Sequence, residues 1–157
     1  KGDAVKALLA AHPYEEPAFD FYPLQNSWTQ AGAGVIGELE TPETELEFLK
    51  RIKKIFEVGC LRHNKLTGRE IQTVALCGGA GVFLMPLAIS NHADVFITGE
   101  IKYHDYFGHD TDILLAEIGH YESEQYTKEL FYTIIRDLFP NFAVQMTKVN
   151  TNPIKYM

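Results

Sequence analysis

The sequence predicts an α/β fold, a mostly parallel or mixed sheet covered by helices, and three observations carry that reading. Strand-sized apolar segments alternate with helix-sized ones along most of the chain. Three of the strands run directly into glycine, at Gly78, Gly99 and Gly119. Of the 157 residues, 46% are hydrophobic, which is enough to build one sizeable core.

The elements follow in order. Val5, Leu8, Leu9 and the neighbouring alanines suit a short helix over Asp3–Ala11, which the proline of His12-Pro13 ends. Ala18–Leu24 alternates and is aromatic-rich, as a strand is. Gln25–Gly34 holds Asn, Ser and alternating alanine and glycine, so it reads as a loop and as the boundary between a module over 1–30 and a second over 31–157. Val35–Glu40 reads as a strand, and Thr41-Pro42-Glu43 as an N-cap with proline first and an acid in the first turn. The helix that follows, to about Glu57, carries Leu46, Leu49, Ile52, Ile55 and Phe56 as its apolar stripe. Leu61–Arg69 is polar and loop-like. Ile71–Cys77, Asp94–Thr98 and Ile113–Ile118 are the three strands that meet glycine, the last leading into a long helix, and Phe142–Lys148 is a final strand. Connections of this size imply parallel neighbours, with ligands bound beyond the carboxyl ends of the strands.

Charge narrows the function. With 14 basic against 21 acidic residues the formal charge is −7, and Lys50, Arg51, Lys53 and Lys54 sit beside Glu45 and Glu47 as on a solvated helix face. No basic patch is available to a phosphate backbone, so nucleic acid is not the expected partner. Val82–Ile89, among the longest apolar runs, falls far short of the roughly 20 residues that span a bilayer. Cys60 and Cys77 belong to no CxxC pair or cysteine framework, which fits a reducing cytoplasm. The sequence starts at Lys1 in a helix-patterned stretch without signal-peptide organisation and reads as the back part of a longer protein.

Chemistry concentrates after the glycines. Residues four apart share one helix face, so His120 and Glu124 can aim an imidazole nitrogen and a carboxylate at one point, a pairing suited to Zn, Mn or Fe. Their face continues through Phe131 and Ile135, which would place the pair inward, toward the sheet edge. A bare HxxxE pair also reads as a capping histidine and a first-turn acid, and strand-end context favours the ligand reading. Glu100 and His104, after the neighbouring strand, are the candidates for proton transfer, and Asp105 for a cap. Cys77-Gly78-Gly79-Ala80-Gly81 offers backbone N–H groups to an anion, but Leu84 stands at the third glycine position of GxGxxG, and a tight turn is the simpler reading. Cys77 reads as a small buried residue. His63, His92 and His109 read as surface histidines, His12-Pro13-Tyr14-Glu15-Glu16-Pro17 as a rigid connector, and Phe131, Tyr132 and Phe139 as core or interface.

Four segments together resemble the family of the yeast Ngg-one-interacting factor three, whose members are also called GTP cyclohydrolase 1 type 2 homologues. They are His12–Pro17, Ala75–Gly81, Asp94–Asp105 and Gly119–Glu124, in order along nearly the whole chain. The resemblance implies a centre of two divalent metals between two similar α/β halves, with His120 and Glu124 as ligands. It implies homohexamers, and a first module that is the tail of a PII-like α+β insertion. It also implies that the remaining ligands, a histidine pair and an aspartate, stand in an N-terminal half outside this sequence. The expected function is a metal-dependent hydrolase acting on a nucleotide-like or other small polar substrate; the alternative is a non-catalytic, metal-binding scaffold.

Overall fold

In the computed structural model, which describes residues 2–22 and 31–157, the chain divides into two units, Lys1–Ala31 and Gly32–Met157. The first contains helix α1, Gly2–Ala11, ended before Pro13 as its missing N–H requires. Ala18–Tyr22 forms no strand; Pro23 and Leu24 of that expected strand, and residues 25–30 of the expected loop, lie outside the described residues.

The second unit is built on a mixed five-stranded sheet in the order β1-β3-β4-β5-β2, where β1 is Val35–Thr44, β2 Arg62–His63, β3 Glu70–Cys77, β4 Val95–Thr98 and β5 Leu114–Glu117. β3, β4 and β5 are parallel, and both edge strands run antiparallel to their neighbours. Strands buried on both faces need apolar side chains at successive positions, which is why the central segments read as unbroken apolar runs. Val95, Ile97, Leu114, Ala116 and Ile71 face Phe48, Leu49 and Ile52 of helix α2, Glu45–Ile55. Phe96, Leu115 and Ala75 point the other way, toward Met85 and Ala88 of helix α3, Met85–Ser90. Each fully buried Leu, Ile or Phe stabilises the fold by about 1.5–3 kcal/mol relative to exposure.

Several expectations are corrected. β1 continues through Pro42 to Thr44, tolerating proline because it is an edge strand and because its register shifts between Glu38 and Glu43. The N-cap is therefore Thr44, which closes a capping box with Glu47 and stabilises the helix start by about 1 kcal/mol. The cap also sets the helix phase: Phe48, Leu49 and Ile52 are buried, whereas Leu46 and Ile55 stay exposed. The loop after α2 contains the short strand β2, and next to it buried Asn64 donates from Nδ2 to the carbonyls of His109 and Ile113 and accepts from Leu115 N–H. His109 is accordingly half-buried, not a surface histidine.

The helix after β5 is broken into α4, His120–Glu124, and α5, Thr127–Leu138. At the break Gln125 Nε2 and Tyr126 OH donate to the carbonyls of Phe56 and Ile55, satisfying the open C-terminus of α2. No residue of α5 is buried, so Phe131 lies on an exposed apolar face and Ile135 is only half-buried. Phe142–Lys148 forms no strand among the described residues; its alternation finds no strand to pair with, and Phe142 and Met146 remain exposed. Among the described residues no helix is long and apolar enough to cross a membrane.

Candidate metal centre

The parallel register puts Cys77 beside Thr98 and Thr98 beside Glu117, so the turns after β3, β4 and β5 emerge at one sheet edge. Gly79 ties them together. Its carbonyl accepts from Gly99 N–H at 2.9 Å, Glu100 N–H at 3.1 Å and the buried Thr98 hydroxyl at 3.0 Å. Its own N–H donates to Ser123 Oγ at 2.9 Å, and that hydroxyl donates to the His120 carbonyl at 2.7 Å. The glycine run is thus a close-packed turn against α4, and the N–H groups of Gly79 and Gly81 are bonded within the protein itself.

Glycine is required at Gly79 on two counts. Its φ is +63°, and a Cβ there would lie 2.5 Å from Glu124 Oε1 and 3.4 Å from His120 Nε2. At Gly99 a Cβ would meet Ser123 Oγ at 2.7 Å and His120 Cα at 2.9 Å. The backbone turns therefore form the floor against which the His120 and Glu124 side chains are set.

The side chains on that floor form a chain of three. His120 Nδ1 lies 2.8 Å from Glu100 Oε1, and since a carboxylate only accepts, Nδ1 carries the proton. In the neutral ring the opposite nitrogen, Nε2, is the one that carries the lone pair, and it lies 3.4 Å from Glu124 Oε2. A ligating histidine is usually held in this way, with a carboxylate behind the ring fixing tautomer and orientation. His120, Glu100 and Glu124 are all about half exposed, at 45%, 58% and 54% of side-chain surface, so the pair opens outward and is not turned into the core as its helical phase suggests. They line a cavity of about 580 Å³ shared with Gln125, Asn152 and Pro153.

The donors fit half of a metal site. Nε2 and the Glu124 carboxylate are two suitable ligands at one point, while Glu100 is occupied with Nδ1. Among the described residues no group of three or more His, Cys, Asp or Glu is arranged to hold a metal ion.

Other candidates separate from this cavity. His104 is exposed and packs its ring against Tyr103 at 5.4 Å and Phe107 at 6.5 Å, and it does not line the cavity. Asp105 makes no side-chain cap bond to its short 3-10 turn, Tyr103–Tyr106. Cys77 is buried with Sγ–H donating to the Ala33 carbonyl at 3.2 Å. Burial, and next the charge of Glu124, push its thiol up, so it stays protonated at neutral pH. Iodoacetamide is therefore expected to alkylate exposed Cys60 and spare Cys77 until denaturant is added. Equal labelling of both in the native protein, read by mass spectrometry, contradicts this. Sequence reasoning missed Ser123, whose signal was its place one turn after His120, and Glu122, a buried acid that accepts from Asn152 Nδ2 at 3.2 Å.

Known proteins resemble this chain in sequence and in fold. The family model described as Duf34/NIF3 (NGG1p interacting factor 3) matches residues 5–153. A protein of Halalkalibacterium halodurans called GTP cyclohydrolase 1 type 2 homolog is 34% identical over 163 residues, covering 100% of this chain and 43% of its own. One of the same name from Staphylococcus epidermidis is 34% identical over 155 residues, covering 96% and 42%. Among solved structures, a Staphylococcus aureus protein superposes with a TM-score of 0.76 at 29% identity, over 99% of this chain and 46% of that one. A Bacillus cereus protein related to NIF3 gives 0.68 at 28% identity, over 99% and 44%. The chain spans less than half the length of these relatives and corresponds to a C-terminal part of them. On the family match along nearly its whole length, together with these relatives, the chain belongs to the Duf34/NIF3 (NGG1p interacting factor 3) family.

Proposed function

We propose that this chain contributes half of a divalent-metal centre to a metal-dependent hydrolase of a nucleotide-like or other small polar substrate. The observation that supports the reading is the His120 ring, held at Nδ1 by Glu100 so that Nε2 and the Glu124 carboxylate converge. His120 and Glu124 are the ligands, Glu100 positions the imidazole, and glycine at position 79 leaves room for the Glu124 carboxylate. Zn, Mn or Fe bound there, as two ions in the complete centre, supplies a Lewis acid for hydrolysis. The name GTP cyclohydrolase 1 type 2 homolog, which belongs to the relatives, accords with a nucleotide-like substrate. We further take the full protein to be a cytoplasmic homohexamer, with residues 1–30 as the tail of a PII-like insertion and 31–157 as the metal-binding half.

A second reading, a non-catalytic metal-binding scaffold, is favoured by the two-donor set and by the uncovered apolar face of α5. A hydrolysis screen of the full-length protein over nucleotides separates the two. Turnover that a chelator abolishes and Zn, Mn or Fe restores is the expected result. Inactivity of fully metallated protein across the screen overturns the hydrolase and leaves the scaffold.

A further inference from the structure

A second pocket, of about 420 Å³, opens around β2 and the 3-10 turn Tyr103–Tyr106, and none of its lining residues lines the His120 cavity. Its walls are fixed. The Arg62 guanidinium is held by the Glu117 carboxylate and donates to the Ile101 carbonyl at 3.3 Å, and Tyr106 OH donates to the same carboxylate at 2.8 Å. Burial, and then that hydrogen bond, push the Tyr106 phenol up, so it remains a donor at every physiological pH. Asn64 clamps the other side by bonding β2 to the loop before β5. A pocket with three pinned walls pays little ordering cost when it binds.

What the walls present is unusual for a chain of net charge −7. Tyr103 and Phe107 are 72% and 61% exposed, with ring centroids 5.1 Å apart in an edge-on contact. Exposed rings packed on one another offer a stacking face. Beside them stand Arg62, His63 and Lys65, with Asp110 as the acid on the rim. Glu117 is occupied by Arg62 and Tyr106, and the His63 ring bonds the Asn64 carbonyl at 2.6 Å through Nδ1.

We infer that this pocket is a second ligand site, for a small molecule that joins a planar ring to an anionic group, as a nucleoside monophosphate does. The ring stacks on the face of one of Tyr103 and Phe107 and meets the other edge-on, as their near-perpendicular packing requires, and the anion lies against Arg62 and Lys65. The site does not depend on metal. It shares with the metal centre only the turn after β4, in which Glu100 reaches His120 and the Ile101 carbonyl reaches Arg62.

The test is titration of the full-length protein, in excess chelator, with adenosine monophosphate, adenosine and inorganic phosphate. Adenosine monophosphate is expected to bind most tightly, with an affinity that falls as salt rises. The double variant Tyr103→Ala/Phe107→Ala, at exposed positions that the fold does not need, is expected to weaken it about tenfold or more. Lys65→Glu is expected to weaken adenosine monophosphate and leave adenosine unchanged. Phosphate binding as tightly as the nucleotide, affinity unmoved by both variants, or no saturable binding in chelator overturns the site. A chelator-sensitive hydrolase with none of this binding leaves the metal centre standing and removes only this pocket.

Discussion

His120→Ala in the full-length protein is expected to lower metal affinity at least about 100-fold, beyond the roughly 10- to 100-fold that loss of a group behind a ligand costs. The side chain is about half exposed and is not part of either core cluster. Stability of the metal-free protein should therefore change by no more than about 0.5 kcal/mol, so a fall in bound metal reports the site and not the fold. Glu100→Ala removes the carboxylate that orients Nδ1 and should give the smaller loss, about 10- to 100-fold. Elemental analysis and competitive metal titration of the two variants give the ranking. If Glu100→Ala costs as much as His120→Ala, the division into ligand and positioning residue is wrong.

Gly79→Ala is expected to damage fold and site together. Alanine at φ +63° costs about 1–2 kcal/mol in backbone conformation alone, and its Cβ would sit 2.5 Å from Glu124 Oε1. The carboxylate must swing away, so metal affinity should fall by about tenfold or more with the stability. Gly68→Ala supplies the control: its φ is +80° and a Cβ there meets nothing within 4 Å. It should lose similar stability in a urea melt while the metal-loaded form keeps its affinity. Equal metal affinity in Gly79→Ala and Gly68→Ala would show that the glycine turn serves the fold only.

Much of the architecture was legible because burial on both faces writes itself into β3, β4 and β5 as runs such as Val95-Phe96-Ile97 and Leu114-Leu115-Ala116. Helix α2 was legible, its start was not. Thr41-Pro42-Glu43 and Thr44-Glu45-Leu46-Glu47 are both good start signals, and only pairing of Glu43 and Thr44 with β3 decides that the strand runs past the first. The long final helix failed for a related reason. Apolar spacing carries on through Gln125 and Tyr126, but those two side chains are claimed by α2, some 70 residues away in sequence.

The candidate site divides in the same way. By itself the sequence determined that His120 and Glu124 share a helix face and that three glycine turns follow three parallel strands, because helical spacing and strand burial are local properties of the chain. Tertiary structure alone decided that Glu100 stands behind the His120 ring and that Gly79 is the floor beneath Glu124. Those contacts depend on which strands are neighbours and in what register, and Gly79 reaches Ser123 across 44 residues that no local periodicity spans.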